Sequence, residues 1–442
     1  MEAKIEKIRE TIKKQDLKFL YLLFTDIAGV SKKVTIKIDE FENAIRHGIW
    51  FDGSSIEGFT RIFESDMLLI PDIDTFSVLP WSFDSGNAAQ IICDIYTPDE
   101  QPFPGDPRGV LKKAMQKAKD LGFHYLVGPE IEFFLLDRTQ EPDLVPHDNK
   151  GYFDLAIQSR AVKICQSTIS SLKAMHITCE SYHHEVSAGQ HEIDLHYDDA
   201  VKIADSVITF KHALKTHASG TDLRVTFMPK PIFGINGSGM HVHQSFSDAA
   251  GKNAFHNETD AYGLSDVAYQ FLAGQLKHAQ ALAAIVDPTV NSYKRLVPGF
   301  EAPVYICWGR VNRSALIRVP KVTKSRRAVG TRLELRCPDP SANPYLAFTA
   351  MLSAGLDGVR NKMKPPKAVE ENVYDFDDKK LSELNISTLP TNLHEAVKAL
   401  EDSSVLTGAL GSHITEYFVR AKTEEWAQFL MQVTQWERER YL

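Results

Sequence analysis

The chain has 442 residues, of which 43% are hydrophobic and 24% are charged, so it can bury a large core and form roughly two or three domains. A net charge of −8 disfavours a general polyanion-binding function. The five cysteines are scattered without a CxxC pair, which indicates reduced thiols rather than a disulfide framework or a zinc site.

The N-terminal part predicts a helix followed by a small sheet. Residues 2–14 carry Ile5, Ile8 and Ile12 at helical spacing. Four β-rich segments follow, KFLYLLFTD, KKVTIKI, DMLLIPDI and AAQIICDIY, and they predict a sheet that ends near Thr97. The first residues lack the pattern of a signal peptide, and no window reaches the ~18 apolar residues of a membrane span. We therefore expect a cytoplasmic protein that does not enter the membrane.

The rest of the chain predicts a larger α+β unit of more than 300 residues. Residues 98–109 are rich in proline and glycine and indicate a linker, which is followed by a helix over about 107–121. Strand patterns then occur in HYLVGPEIEFFLL, RVTFMPKP, GMHVHQSF and TRLELRCP. Helical patterns occupy residues 198–218, 265–286, 344–362 and 413–431.

The segment GPEIEFF (128–134) places two carboxylates on one face of a strand. Because side chains alternate along a strand, Glu130 and Glu132 face one way while Ile131 and Phe133 face the core. Like charges on one face repel, which predicts a cation nearby. A lone pair of this kind is more often a solvated strand face, so the interpretation depends on other acidic segments.

Three further segments carry carboxylates or imidazoles that could bind the same cation. In EVSAGQHEIDLH, Glu185 and Glu192 flank a turn at Gly189 and can converge on one centre. MHVHQS sets two histidines on one strand face, and TRLELR sets a glutamate between two arginines: His241, His243, Arg332, Glu334 and Arg336. Carboxylates with one or two imidazoles suit Mg²⁺ or Mn²⁺ rather than a structural zinc.

Residues 294–336 form a basic segment with eleven Lys or Arg and only two acids, Glu301 and Glu334. Arginine suits phosphate and carboxylate groups, so an anionic substrate beside an acidic metal cluster indicates phosphoryl transfer. A nucleic-acid groove is one rival interpretation, but recognisable binding modules are absent and the overall charge is negative. A solvated basic surface is the stronger rival, but it would not explain the many arginines beside apolar positions. No Walker loop occurs, and INGSG (235–239) by itself indicates only a turn.

Several long motifs resemble type I glutamine synthetase, in family order, from about Asp16 onwards. They are FDGSSIEGF (51–59), GPEIEFF, EVSAGQHEID, FMPKPIFGINGSGMHVHQS, NSYKRLVPGFEAP, NRSALIR and TRLELRCPDPSANPYL. The chain is similar to the short, alpha-type subtype, because it lacks the insertion associated with adenylylation. The resemblance implies an α+β fold with a β-grasp domain over 15–99 and a glutamine synthetase/guanido kinase-type catalytic domain over 106–442.

The resemblance also implies the activity and the assembly. ATP-dependent ligation of ammonia to L-glutamate would give glutamine, ADP and phosphate through γ-glutamyl phosphate, for nitrogen assimilation. Two or more Mg²⁺ or Mn²⁺ ions would bind in each active site. The assembly would be a homododecamer of two hexameric rings, with active sites between neighbouring subunits. Allosteric control by glutamine, 2-oxoglutarate or a PII-type regulator is consistent with the subtype.

Residue roles carried over by motif fall into five groups. The metal ligands would be Glu130, Glu132, Glu185, Glu192, His241 and Glu334. Glutamate would bind Asn236, Gly237, His241, Arg295, Glu301, Arg313 and Arg336. ATP would bind Glu180, Tyr197, His243, Ser245, Arg313, Arg318 and Arg332. Ammonium would bind Asp52, Ser55, Tyr152, Glu185 and Glu301, with Asp52 from a neighbouring subunit. The catalytic residues would be Asp52, Glu301 and Arg313.

Some residues depart from this pattern or carry a second interpretation. Residues 319–332 do not align cleanly with the family, so no nucleotide role is assigned to their basic side chains, Lys324, Arg326 and Arg327. Arg61 matches an arginine linked to glutamine feedback, with a salt bridge to Glu64 or Asp66 as its alternative. Tyr374 stands in the place of the tyrosine that the longer subtype modifies, but an ordinary loop tyrosine is the preferred interpretation.

Two rival functions remain. Another γ-glutamyl ligase would use a polyamine or ethanolamine, although Asp52, Ser55 and Tyr152 in family-like contexts favour ammonia. A non-catalytic relative is expected to lack metal ligands, whereas all six are present here.

Overall fold

The computed structural model describes residues 2–54, 56, 66–81, 86–155 and 159–442. Ser55 and Arg61, to which the sequence analysis gave an ammonium and a feedback role, lie outside the described residues. In the described ranges, no helix combines the length and the apolar character needed to cross a membrane.

The N-terminal elements form one sheet with a helix against it. They are α1 (Glu2–Lys14), β1 (Leu17–Thr25), β2 (Ser31–Lys37), α2 (Phe41–His47), β3 (Ile49–Asp52), β4 (Asp66–Pro71), β5 (Ser77–Val78) and β6 (Asn87–Tyr96). The strand order is β2-β1-β6-β4-β3, with β5 beside β6, and β1 runs parallel to β6. Ile5 and Ile8 of α1 are buried in the core of this sheet. The predicted N-terminal helix and all four predicted strands are confirmed.

A second, larger sheet carries most of the remaining chain. Its strands are β7 (Phe123–Asp137), β8 (Cys179–His184), β9 (Gln190–Leu195), β10 (Asp198–Asp199), β11 (Leu223–Thr226), β12 (Met240–Asp248), β13 (Tyr305–Gly309), β14 (Ala315–Arg318) and β15 (Leu333–Leu335). The order is β13-β14-β15-β12-β7-β9-β8, and β10 and β11 also pair with β7. The long strand β7 therefore pairs with four other strands, β9, β10, β11 and β12.

Helices form the rest of this part of the chain, and several of them share one core with the apolar face of the sheet. They are α3 (Pro107–Lys119), α4 (Arg160–Ala174), α5 (Ala200–Ala218), α6 (Asp266–Lys277), α7 (Ala279–Val286), α8 (Ser292–Arg295), α9 (Arg327–Gly330), α10 (Pro344–Arg360), α11 (Asp378–Glu383), α12 (Leu393–Glu401), α13 (Ser404–Leu430) and α14 (Gln435–Tyr441). Ile131 and Phe133 of β7 are fully buried in the same core as Phe348 of α10. The predicted α+β class is confirmed.

Two predicted helices differ from those observed. Residues 265–286 form two helices rather than one, because His278 leaves the helical region with φ −97° and ψ 9°. The helix predicted over 413–431 begins earlier, at Ser404, and it is interrupted at Gly411, whose φ of 81° is left-handed. In both cases the apolar periodicity continues through the break and hides it.

A buried arginine joins the two sheets. Arg108, in the first turn of α3, donates to Asp205 of α5 through Nε and Nη2, at 3.0 and 2.9 Å. Its other contacts are Asp94 of β6 at 2.6 Å and Asp72 at 2.8 Å. Because the guanidinium is only 4% exposed, its planar fork holds carboxylates from both halves of the chain in one fixed arrangement.

Candidate active site

A cavity of about 510 Å³ lies at the polar face of β7 and β9. It brings together the predicted glutamate-binding residues, all six predicted metal ligands and part of the predicted ammonium pocket. Among the residues that line it are Glu130, Glu132, Tyr152, Glu185, Glu192, Asn236, Gly237, His241, Arg295, Glu301, Arg313, Arg318, Glu334 and Arg336.

One acidic set in this cavity comes from β7, β9 and the turn between β8 and β9. Glu132 and Glu192 lie directly opposite each other on paired strands. Glu185 joins them because the chain turns at Gly189, whose φ is 70° and where a Cβ would lie 2.9 Å from a backbone oxygen. His183 Nε2 is 2.9 Å from Glu185 Oε1 and 3.5 Å from Glu192 Oε1.

This first acidic set has more negative charge than its protein neighbours balance. Burial raises the pKa of Glu132, and the nearby Glu185 raises it further. Burial likewise raises the pKa of Glu192, together with the charges of Glu132 and Glu130. Carboxylates that resist ionisation for these reasons are ionised when a cation shares the site, so the set fits a divalent ion.

A second acidic set lies next to the first, and histidine and arginine side chains balance its negative charge. His241 Nδ1 is 3.4 Å from Glu130 Oε2 and 3.8 Å from Glu334 Oε1. Burial disfavours the charged form of Glu130, but hydrogen bonds with His241 and His243 outweigh burial and hold its pKa well below the usual range. Glu334 is fully buried and accepts hydrogen bonds from Arg336, at 2.9 Å, and from Arg318. One imidazole and two carboxylates at this spacing also fit a divalent ion.

A second cavity, of about 490 Å³, adjoins the first. Five predicted ATP-binding residues line it: Glu180, Tyr197, His243, Ser245 and Arg332. The other two, Arg313 and Arg318, line the first cavity instead. Both cavities share Glu130 and Asp194, so these carboxylates form the boundary between them.

A buried arginine that is held in a fixed position lines the first cavity. Arg295 is buried and donates through Nη1 to the carbonyl of Cys337 at 2.5 Å and through Nη2 to that of Arg336 at 3.2 Å. The INGSG segment passes so close that a Cβ on Gly239 would lie 2.5 Å from Arg295 Nη2. This segment therefore shapes the cavity, a role beyond the turn that its composition indicates.

Two predicted catalytic residues lie at exposed positions. Glu301 has a left-handed φ of 58°, and the Nδ2 of Asn236 is 3.4 Å from its carboxylate across the mouth of the first cavity. Asp52, at the end of β3, accepts a hydrogen bond from the Ser54 N–H at 2.8 Å. Within the described residues, Asp52 lines neither cavity of its own chain.

The sequence analysis missed some residues of the site. His183 directly precedes the EVSAGQHEID motif in SYHHEV, two residues before Glu185, and that spacing was an available signal. Gln190 donates to Glu132 at 2.8 Å and to the carbonyl of Gly237 at 3.0 Å. Arg326, which was given no role, lines the second cavity.

Comparisons with known proteins cover nearly the whole chain. Residues 16–98 match the family model of the glutamine synthetase beta-Grasp domain, and residues 104–441 match that of the catalytic domain. The glutamine synthetase of Thermotoga maritima is 51% identical over 440 residues, 99% of each chain. That of Halobacterium salinarum is 49% identical over 438 residues, covering 98% of this chain and 96% of the relative.

Solved structures agree with these sequence matches. A GmaS/ADP complex is 33% identical with a TM-score of 0.88 and 98% coverage of both chains. Plasmodium falciparum glutamine synthetase is 27% identical with a TM-score of 0.87, covering 99% of this chain and 98% of that one.

The family models and the full-length relatives define this chain as an ATP-dependent ligase. The chain belongs to the glutamine synthetase family, and it forms glutamine from glutamate and ammonia with ATP. This family uses ATP and divalent metal ions. The family, fold and activity implied by the sequence motifs are thus confirmed.

Proposed function

We propose that the two acidic sets hold two divalent ions, Mg²⁺ or Mn²⁺, between the substrates. One ion would bind Glu132, Glu185 and Glu192, and the other Glu130, His241 and Glu334. The excess buried negative charge of the first set supports this assignment, because unpaired buried charges are costly. When bound, such ions neutralise phosphate oxygens and stabilise the charge of the transferred phosphoryl group.

The boundary between the cavities is the observation that carries the proposal. Glutamate would occupy the first cavity, with its α-carboxylate held by arginines such as Arg295 and Arg336. ATP would occupy the second, with adenine near Tyr197 and the phosphates directed toward Glu130. The γ-phosphate and the glutamate side chain would then meet where the two cavities adjoin, beside Glu130.

The first chemical step would be a phosphoryl transfer. An oxygen of the glutamate γ-carboxylate attacks the γ-phosphorus, the bond to the bridging oxygen of ADP breaks, and γ-glutamyl phosphate forms. Arg313 lines the first cavity and would offset the charge that develops on the equatorial oxygens.

Ammonia would then displace phosphate from the acyl carbon. A negative pocket recruits ammonium, and the Asp52 carboxylate of a neighbouring subunit accepts its proton to release the nucleophile. Tyr152, Glu185 and Glu301 line the receiving cavity, and Ser55 would complete the pocket. The loop that carries Glu301 would close over the intermediate and exclude water.

The assembly and the domain limits are part of the same proposal. Asp52 is exposed and lines neither cavity among the described residues, which supports active sites shared between subunits of a homododecamer. The β-grasp domain would span 15–99 and the catalytic domain 106–442. The enzyme would assimilate nitrogen in the cytoplasm, and control by glutamine, 2-oxoglutarate or a PII-type regulator stays a prediction.

Phosphate release from ATP, Mg²⁺ and glutamate, with and without ammonium, tests the ammonium pocket. We expect ammonium-dependent turnover that Asp52→Ala reduces by at least ~100-fold, because general base catalysis contributes on that scale. Asp66→Ala is the matched control, since Asp66 is the exposed cross-strand partner of Asp52. Turnover that requires ethanolamine or a polyamine would show that this amine, rather than ammonia, is the substrate.

Mixed oligomers test the sharing of the active site. Subunits with Asp52→Ala and subunits with Glu192→Gln are each expected to be inactive alone. Co-assembled in equal amounts, they should recover about a quarter of the wild-type activity, because each complete site takes one residue from each of two chains. No recovery in intact mixed oligomers would place Asp52 and Glu192 in the same subunit's site. Full activity of Asp52→Ala alone would remove Asp52 from the mechanism.

A further inference from the structure

A histidine–aspartate cluster lies on the opposite face of β9 from the active-site cavity. It consists of His147, Asp148, His184 and His191. Because side chains alternate along a strand, Glu192 faces the cavity while His191 faces away from it. None of the four cluster residues lines either of the two cavities described above. The residue roles assigned so far leave this cluster unexplained.

Three ligand-type atoms of the cluster face one another. His147 Nε2 is 2.8 Å from His191 Nε2 and 3.4 Å from Asp148 Oδ2. Asp148 Oδ2 is buried and has no hydrogen-bond partner among the described residues. Two imidazole nitrogens and an unsatisfied carboxylate oxygen therefore lie within 4.8 Å of one another. A buried oxygen without a donor is rare unless a ligand or an ion completes it.

The other polar atoms of the cluster are held by the surrounding structure. His191 Nδ1 is 3.2 Å from the Tyr182 hydroxyl, so its Nε2 remains directed into the cluster. Asp148 Oδ1 accepts from the Gly189 N–H at 2.8 Å and lies 3.3 Å from His184 Nε2. Partners that fix the second atom of each imidazole or carboxylate are the usual support of metal ligands.

We propose that this cluster binds one divalent transition-metal ion, with Zn²⁺ as the best fit, through His147, His191 and Asp148. Two imidazoles and one carboxylate are typical of zinc, whereas the active-site sets are rich in oxygen and suit Mg²⁺. Ligand atoms of a tetrahedral zinc lie about 3.3 Å apart. The 3.4 Å separation already matches this value, and the 2.8 Å separation needs to open by roughly half an ångström.

The site reaches beyond the proposed catalytic function because it links two segments that border the active site. Asp148 belongs to the loop that leads to Tyr152, and it holds the N–H of Gly189 in the turn between Glu185 and Glu192. An ion bound here fixes that turn from behind, without contact with the substrates. Its effect is therefore on stability rather than on the chemical step.

Zinc retention by the full-length protein tests the site. The enzyme is stripped with a chelator, saturated with Mg²⁺, dialysed against micromolar Zn²⁺ and analysed for bound metal. We expect about one Zn²⁺ per chain, at least 10-fold weaker binding in His147→Asn, and unchanged Mg²⁺-dependent turnover in that variant. His176→Asn is the matched control, because His176 is exposed and its left-handed φ of 62° suits asparagine.

Two outcomes overturn the proposal. One is equal zinc retention by wild type and His147→Asn, with both proteins folded by circular dichroism. The other is zinc retention that falls in Glu192→Gln but not in His147→Asn, which places the ion in the acidic cavity. If His147→Asn does not fold, the absorption spectrum of Co²⁺-loaded wild type decides, because tetrahedral Co²⁺ gives intense visible bands whereas octahedral, oxygen-rich binding gives weak ones. Weak octahedral bands alone would refute the site.

Discussion

Glu192→Gln is expected to stabilise the metal-free protein and to remove the part of its stabilisation by Mg²⁺ that the first acidic set provides. Glu192 is almost fully buried, and it lies directly opposite Glu132 across two paired strands. Residues opposite each other have Cβ atoms about 5 Å apart. With an effective dielectric constant of about 20, two charges at 5–6 Å would repel by roughly 3 kcal/mol. In a chelator one of the two carboxyls is therefore held protonated, which costs a similar free energy at pH 7. His183 offsets part of this repulsion, so we expect the variant to gain ~1–3 kcal/mol in a chelator.

Magnesium should reduce or reverse the difference between the two proteins. A ligand at a hundred times its Kd stabilises a native protein by ~2.7 kcal/mol, which the wild type gains at the first acidic set and the variant does not. Urea titrations with chelator and with saturating Mg²⁺ measure both free energies of unfolding. Glu258→Gln, at an exposed position, is the control and should change neither value by more than ~0.5 kcal/mol. A variant that is less stable than the wild type in chelator would refute the repulsion argument.

Three further predictions concern other parts of the chain. Arg332→Lys loses the planar guanidinium and the hydrogen bond that its Nε donates to His243. Steady-state kinetics should show a KM for ATP raised by ~10-fold and a KM for glutamate that stays within twofold. Equal changes in both KM values would contradict separate cavities for the two substrates. Arg108→Leu leaves buried carboxylates unpaired, and urea titration should show a loss of ~3–5 kcal/mol, with Arg108→Lys intermediate. Burial opposes ionisation of Asp357, but hydrogen bonds from His278 and Lys277 outweigh it and lower its pKa, so its stabilisation exists above about pH 4 and fades as the pH falls through the lowered value. Asp357→Asn should therefore destabilise the protein at pH 7 and much less at pH 3; an equal loss at both would contradict this assignment.

The sequence predicts best where alternation and motif length coincide. The two-residue spacing of Glu130 and Glu132 predicts a shared face, and the structure places both on the polar side of β7 with Ile131 buried behind them. The break at His278 could not be predicted, because apolar residues continue on both sides of it. Nor could the position of Arg326, since neither periodicity nor motif fixes how residues 319–332 fold back onto the second cavity.

Contacts between segments distant in sequence were equally out of reach. His147 meets His191 only because the loop after β7 crosses back over the turn at Gly189, where the Asp148 carboxylate accepts the N–H. The residue pattern of one segment does not indicate where a distant segment of the chain will contact it. No pattern in the linear sequence therefore predicts the cluster.

The alternation of side chains along β7 also fixes the position of Glu130 and Glu132 during folding, before any substrate is present. A slip of one residue against β12 or β9 would turn the glutamates inward and put Ile131, Phe133 and Leu135 into water. Exposing three such side chains costs roughly 5–9 kcal/mol, comparable to the whole stability of a typical protein. The burial of apolar side chains during folding thus also sets the position of Glu130 and Glu132, and both carboxylates are on the polar face before any substrate binds.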